Sequence, residues 1–258
     1  MIFPYAHLLA FALLLALPAS FPVSAPQAHG SSPNTPVLLE LFTSEGCSSC
    51  PPADKLLNQL DRDQPVKGAD LIVLSEHVDY WNHLGWKDLY SSPAFSKRQE
   101  FYASRVGNDE VYTPELVVDG TRALVGSNWP KAEIAIKQSL REVKIPVRVT
   151  AARNGGKARI DVNVQLNTTR KQAVVYLALA HDHARSQVAS GENAGRDLSH
   201  VAVAYSIQEI ATLEPGSNFE KALAVSLPPN STVGDARAIV FVRTARAAQV
   251  IGAAQTRL

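Results

Sequence analysis

The stretch 37-VLLELFTSEGCSSCPPADKLLNQL-60 decides how the rest of the chain is read. Val37–Phe42 is a short apolar run of the length of a buried strand. A loop rich in Ser and Gly follows, and from Pro51 the apolar positions Ala53, Leu56, Leu57 and Leu60 recur with the spacing of one helix face. Cys47 and Cys50 therefore stand where a strand runs through a loop into a helix. Proline is favoured in the first helical turn and disfavours helical dihedrals in the residue before it, which predicts a helix start at Pro51 and a non-helical Cys50.

These are the only two cysteines of the chain, and three readings of the pair compete. A purely structural disulfide would close a loop of four residues, for which chain entropy gives about 2 kcal/mol, less than a longer loop would gain. A structural zinc centre needs two further ligands, and neither a second C-x-x-C nor a His pair of zinc-finger spacing is present. Thiol–disulfide exchange needs an attacking thiolate, a second thiol within reach and a local means of favouring ionisation, which a C-x-x-C at a helix start supplies. In that reading Cys47 is the exposed attacker and Cys50 the resolving thiol.

Outward from this segment, Ala69–Ser75 reads as a second buried strand. Glu76–Gly107 is rich in aromatic residues and helical in its later half. Leu116–Val118 and Thr121–Val125 flank Asp119-Gly120, a pair suited to a tight hairpin turn, and Lys131–Val143 carries a partial apolar helix face. Beyond Ile145 the pattern changes to alternating runs at 145–151, 158–166, 173–180, 201–207, 222–227 and 238–243 with turn signals between several of them, which predicts a separate β-sandwich over 145–258.

The N-terminal 29 residues read as a signal peptide and tail. Leu8–Leu17 is a ten-residue apolar block followed by Pro18-Ala19-Ser20, too short to span a bilayer, although no Lys or Arg precedes it. The expected location is a bacterial periplasm or the exterior, where disulfides persist. The whole chain carries 25 Lys and Arg against 24 Asp and Glu, so no strong field gathers phosphates, and neither nucleic-acid binding nor stable membrane insertion of the mature chain is expected.

The segment VLLELFTSEGCSSCPPADKLL, followed downstream by 112-YTPELVVDGTRALVG-126, resembles the active-site strand, loop and helix and the cis-proline hairpin of the thioredoxin superfamily. More closely, GCSSCPPAD, HVDYWNHLGW and GENAGR together resemble the bacterial secreted thioredoxin-like proteins of domain-of-unknown-function family twelve twenty-three. The resemblance implies an α/β thioredoxin-like domain over 36–143, a central mixed sheet with flanking helices, carrying an insertion at about 76–107 and followed by the all-β domain. It implies a cis Pro114 beside Cys47, with Thr113 offering a backbone edge to an extended peptide. It also implies that Glu40 is the buried acid that moves protons near the resolving thiol.

The remaining polar residues have bland readings beside functional ones. Tyr80 and Trp81, with His77, Asp79, His83 and Trp86, either line a substrate groove near Cys47 or pack the insertion. Glu45 reads as a solvated acid. His181 and His183 share a strand face and, with His200, admit a weak copper or zinc reading. Asn167-Thr168-Thr169 and Asn230-Ser231-Thr232 match glycosylation sequons. The functional expectation is thiol–disulfide exchange on periplasmic protein thiols or disulfides, with no cofactor beyond a redox-active Cys47–Cys50 disulfide. The alternative is a non-catalytic binding module for a protein partner, copper or zinc.

Overall fold

In the computed structural model the chain is described at residue 1 and over 34–107, 110–167, 171–229 and 231–258. The expected signal peptide lies outside these residues, as do parts of both sequons. Strand β1 (Thr35–Thr43) is buried along nearly all its length, and it runs parallel to β2 (Ala69–His77) and antiparallel to β3 (Glu115–Val118). Between β1 and β2 lies α1 (Pro51–Asp63), which starts at the first of the two prolines and buries Ala53, Leu57 and Leu60. Helix α2 (Pro93–Val106) follows β2, β4 (Arg122–Val125) pairs with β3, and α3 (Trp129–Ser139) closes this part of the chain. Asp119 and Gly120 both have positive φ, 48° and 72°, as the tight turn between β3 and β4 requires.

The second half is all strand: β5 (Val147–Asn154), β6 (Lys157–Gln165), β7 (Ala173–Gln187), β8 (Asp197–Leu213), β9 (Asn218–Ser226), β10 (Ala236–Thr244) and β11 (Val250–Arg257). These do not form a domain of their own. Four of them complete a single eight-stranded mixed sheet of order β11-β10-β7-β8-β2-β1-β3-β4, joined where β8 runs parallel to β2 at Ser75 and Val203. The other three form a small antiparallel sheet, β5-β6-β9.

The expected helix-flanked thioredoxin fold followed by a separate sandwich is therefore corrected. Among the described residues the structure is mostly β, with three helices, and its main sheet draws on both halves of the chain. The physical reason lies in β7 and β10, buried on both faces: Ala178, Ala180, Ile239 and Phe241 pack with β1 and β2, while Val175, Leu177, Val240 and Val242 pack against the small sheet. A strand covered on both sides is the interior of a larger assembly, not one leaf of an isolated sandwich.

The sheet curls until β11, at one edge, reaches the turn after β3. Val250 N–H donates to the Asp119 carbonyl (3.0 Å), and Lys144 Nζ bridges Asp119 Oδ2 (2.7 Å) and the Val250 carbonyl (2.9 Å). At this meeting Gly120 lies against the Ala248 carbonyl so closely that no side chain could be accommodated.

Candidate active site

Alternate residues of a strand point to opposite faces, so β1 separates two buried polar clusters. Glu40 points to the α2 side. Its carboxylate accepts from Arg98 Nε (2.9 Å) and from Tyr102 Oη (2.6 Å), and Glu76 of β2 lies 3.4 Å from Arg98 Nε. Arg98 is in turn enclosed by the Tyr102, Tyr176 and Phe241 rings, with its guanidinium 5.0–5.4 Å from their centroids. Burial pushes the Glu76 carboxyl well up, against the pull of Arg98 and with the help of the neighbouring Glu40. Leu41, the next residue along β1, points the other way and meets Ala53 of α1 and Pro114 around Gly126. The structure thus places Glu40 in an ion cluster with α2, on the face away from the helix that follows the cysteines.

On the α1 face Cys47 and Cys50 form a disulfide, with Cα atoms 5.4 Å apart. Cys50 is the N-cap of α1, and its carbonyl accepts from Ala53 N–H (2.8 Å) and Asp54 N–H (3.1 Å). Its dihedrals are helical (φ −78°, ψ −37°), although Pro51 follows. Both cysteines are fully buried, whereas Ser48 and Ser49 between them are exposed. The expected exposed attacker is not what the structure presents.

The Thr113–Pro114 peptide is cis and leads into β3. Thr113 and Trp81 are brought together, since Trp81 Nε1 donates to Thr113 Oγ1 (2.7 Å), and Trp81 also packs on Gly46 beside Cys47. Trp81 therefore ties the cysteine loop to the Thr-Pro loop. Tyr80 lies alongside, donating to Gln99 Oε1 (3.1 Å), and burial pushes its hydroxyl up to about 12. His83 is exposed.

Beneath the disulfide loop lies a second buried cluster that the sequence did not disclose. Glu45 is fully buried, not solvated; its Oε2 accepts from Trp86 Nε1 (2.8 Å) and its N–H donates to Asp88 Oδ2 (2.9 Å). His77 Nδ1 is 2.7 Å from the same Asp88 oxygen, and the His200 ring stacks edge-on against His77 at 4.7 Å. His200 sits between two acids, Glu45 (3.7 Å from Nε2) and Asp54 (3.6 Å from Nδ1). Burial favours neutral His200, yet these carboxylates outweigh it and raise its pKa to about 10. Burial likewise works to raise Glu45, but the neighbouring His200 and the hydrogen bond from Trp86 hold it below the ordinary value. His200 thus joins His77 and two carboxylates, while His183 is exposed and pairs with Asp182. Among the described residues no three His, Cys, Asp or Glu side chains are arranged to hold a metal ion.

The tip of the β7–β8 hairpin completes the site. Asn193, fully buried, donates through Nδ2 to the carbonyls of Glu45 (2.8 Å) and Cys47 (2.9 Å), and Ser48 N–H donates to Glu192 Oε2 (3.0 Å). Ser190 Oγ donates to the Gly85 carbonyl (2.5 Å), and Gly191 packs on Trp86. The segments GCSSCPPAD, HVDYWNHLGW and GENAGR, dispersed in sequence, therefore meet around one disulfide. Their shared resemblance was the signal that could have joined them in advance.

A family described as a protein of unknown function, DUF1223, matches residues 38–243. The chain belongs to this family. The match spans all three segments and both halves of the main sheet. No curated protein sequence matches the chain. Among solved structures, the crystal structure of protein AGR_C_4864 from Agrobacterium tumefaciens is similar at a TM-score of 0.65 and 24% identity, over 87% of this chain and 95% of that one, which is a likeness of fold. The E. coli curli protein CsgC aligns with 43% of this chain and 97% of its own at 11% identity, and its TM-score of 0.24 carries no inference. Membership of DUF1223 assigns no activity, so the chemistry rests on the site.

Proposed function

We propose that this DUF1223 protein is a thiol–disulfide exchange protein acting on periplasmic protein thiols or disulfides through Cys47 and Cys50. The observation that carries the reading is the placement of the chain's only two cysteines, disulfide-bonded, at the β1–α1 junction, with Cys50 as the helix N-cap. Such a position gives the pair a helix N-terminus to favour a thiolate and a second sulfur to resolve a mixed disulfide. Trp81, which packs on Gly46 and is hydrogen-bonded to Thr113, offers with Thr113 the surface for an extended protein segment beside the pair. No cofactor beyond the disulfide is part of this reading.

The burial of both sulfurs favours a second reading, a binding module in which the disulfide only staples its loop. Equilibration of the protein with glutathione buffers separates the two. A potential between about −120 and −270 mV, the range of known exchange proteins, is the expected result, and a value below about −300 mV identifies a staple and overturns the exchange reading.

A further inference from the structure

We propose that the tip of the β7–β8 hairpin is a latch over the cysteine pair, with Asn193 and Glu192 as the positioning residues that hold it shut. The proposal rests on the exchange reading and names what that reading still lacks, a route to the sulfur. In exchange, an incoming thiolate must approach along the S–S axis, form a new bond to the Cys47 sulfur and expel Cys50 as a thiolate, which takes a proton from solvent. A second thiolate of the partner then attacks the partner's own sulfur in the mixed disulfide, closing the partner's disulfide and releasing Cys47 as a thiolate that is protonated in turn; the reduced pair runs the same steps in reverse on a partner disulfide. A fully buried Cys47 admits no such approach while the closed arrangement lasts.

The closed arrangement has identifiable fastenings. Asn193 grips the carbonyls on either side of Gly46, and Glu192 accepts from the N–H of Ser48, the residue directly after Cys47. On its other flank the tip is fastened to the insertion by Ser190 on Gly85 and Gly191 on Trp86. Within the tip, Val188 N–H bonds the Arg196 carbonyl (3.0 Å), Gly195 N–H the Val188 carbonyl (2.8 Å) and Ala194 N–H the Gly191 carbonyl (3.2 Å). Those internal bonds survive if the tip lifts as a unit. Gly191 and Gly195 both have a φ of +78°, a conformation that glycine adopts without steric penalty.

Two observations make lifting inexpensive. Asn193 Oδ1 is buried without a partner among the described residues, a deficit that water repairs on opening. Glu192 is solvent-facing, so water replaces its bond to Ser48 directly. All three fastenings to the cysteine loop engage backbone groups, not the sulfurs. The latch therefore governs how fast the pair reacts in either direction and leaves its equilibrium unchanged.

The test measures, on the full chain, the rate of Cys47–Cys50 reduction by dithiothreitol and of reoxidation by oxidised dithiothreitol. For Asn193→Ala both rates rise about tenfold or more, and their ratio stays within about twofold of the parent. For Glu192→Ala, a surface change, both rise about threefold. Unchanged rates in folded Asn193→Ala, or a rise in one direction only, overturn the latch. If Asn193→Ala does not fold, Glu192→Ala decides by the same criterion. A variant that reacts faster with dithiothreitol in both directions, yet transfers no disulfide to a reduced unfolded protein, overturns the exchange reading while upholding the latch.

Discussion

The two sides of β1 bury charge in contrasting ways. On the α2 side, Glu40, Arg98 and Tyr102 are bonded at 2.6–2.9 Å and wrapped in aromatic rings, and only Glu76 of that cluster has carboxylate oxygens without a hydrogen bond among the described residues. On the α1 side, His200 stands 3.6–3.7 Å from its acids, and among the described residues Glu45 Oε1, Asp54 Oδ1, His77 Nε2 and both His200 nitrogens lack hydrogen-bond partners. Buried groups that are fully paired rigidify a core, whereas loosely paired ones keep the option of rearranging. Most of the unpaired atoms of the two clusters lie in the one under the disulfide. Both clusters are buried, and the one under the disulfide is distinguished by a histidine held between two carboxylates at more than hydrogen-bond distance from either.

The sharpest test of this contrast is Arg98→Leu, which strands Glu40 in the core and is expected to lower stability by about 3–5 kcal/mol in urea melts. The reduction rate of the disulfide in the folded fraction should not change, and a change would mean that the two clusters are coupled through β1. Next in size, His200→Gln removes the cation between Glu45 and Asp54 and should destabilise by about 3 kcal/mol at neutral pH. Because the folded His200 pKa is about 10 against 6.5 unfolded, its stabilisation is complete below pH 6.5 and is lost as pH rises through about 10. Glu45, with a lowered pKa, contributes oppositely, its share vanishing in acid. The parent melting temperature should thus fall on the alkaline side by roughly 5 °C or more, and the His200→Gln profile should be flatter there. Parallel alkaline profiles would refute the ion assignment.

Smaller effects follow. Cys47→Ser with Cys50→Ser should abolish exchange yet remove only about 2 kcal/mol of stability, as the loop closed is four residues long. A much larger loss would make the pair chiefly a staple. Trp81→Phe keeps an aromatic ring, though a smaller one, and drops the bond to Thr113, worth about 1 kcal/mol, so calorimetry should register a shift of a few degrees.

Local chemistry made part of this legible. The apolar run into C-x-x-C and the double proline located β1, the loop and the start of α1, and Asp119-Gly120 located the β3–β4 turn. What local patterns could not convey was pairing across the chain. The run 173-AVVYLALA-180 is apolar on both faces, a sign of a strand with cover on two sides, and reading it as alternating concealed its place in the main sheet. Glu45 looked solvated because its partners Trp86, Asp88 and His200 lie far along the chain. Asn193 carries no charge and no reactive group, so only the fold shows that it holds the Cys47 carbonyl.

The meeting of Ser75 with Val203 also bears on the order in which the molecule is made. When β1, β2 and β3 have left the ribosome, β2 still lacks a neighbour on its second edge, and β8, which joins it at Ser75 and Val203, has not been synthesised. An open edge of apolar strand is a template for pairing with another chain, and non-local strand pairing is slow to form. Nascent chains stalled before β8 should therefore aggregate or recruit a chaperone, and chains released after β8 should escape both fates.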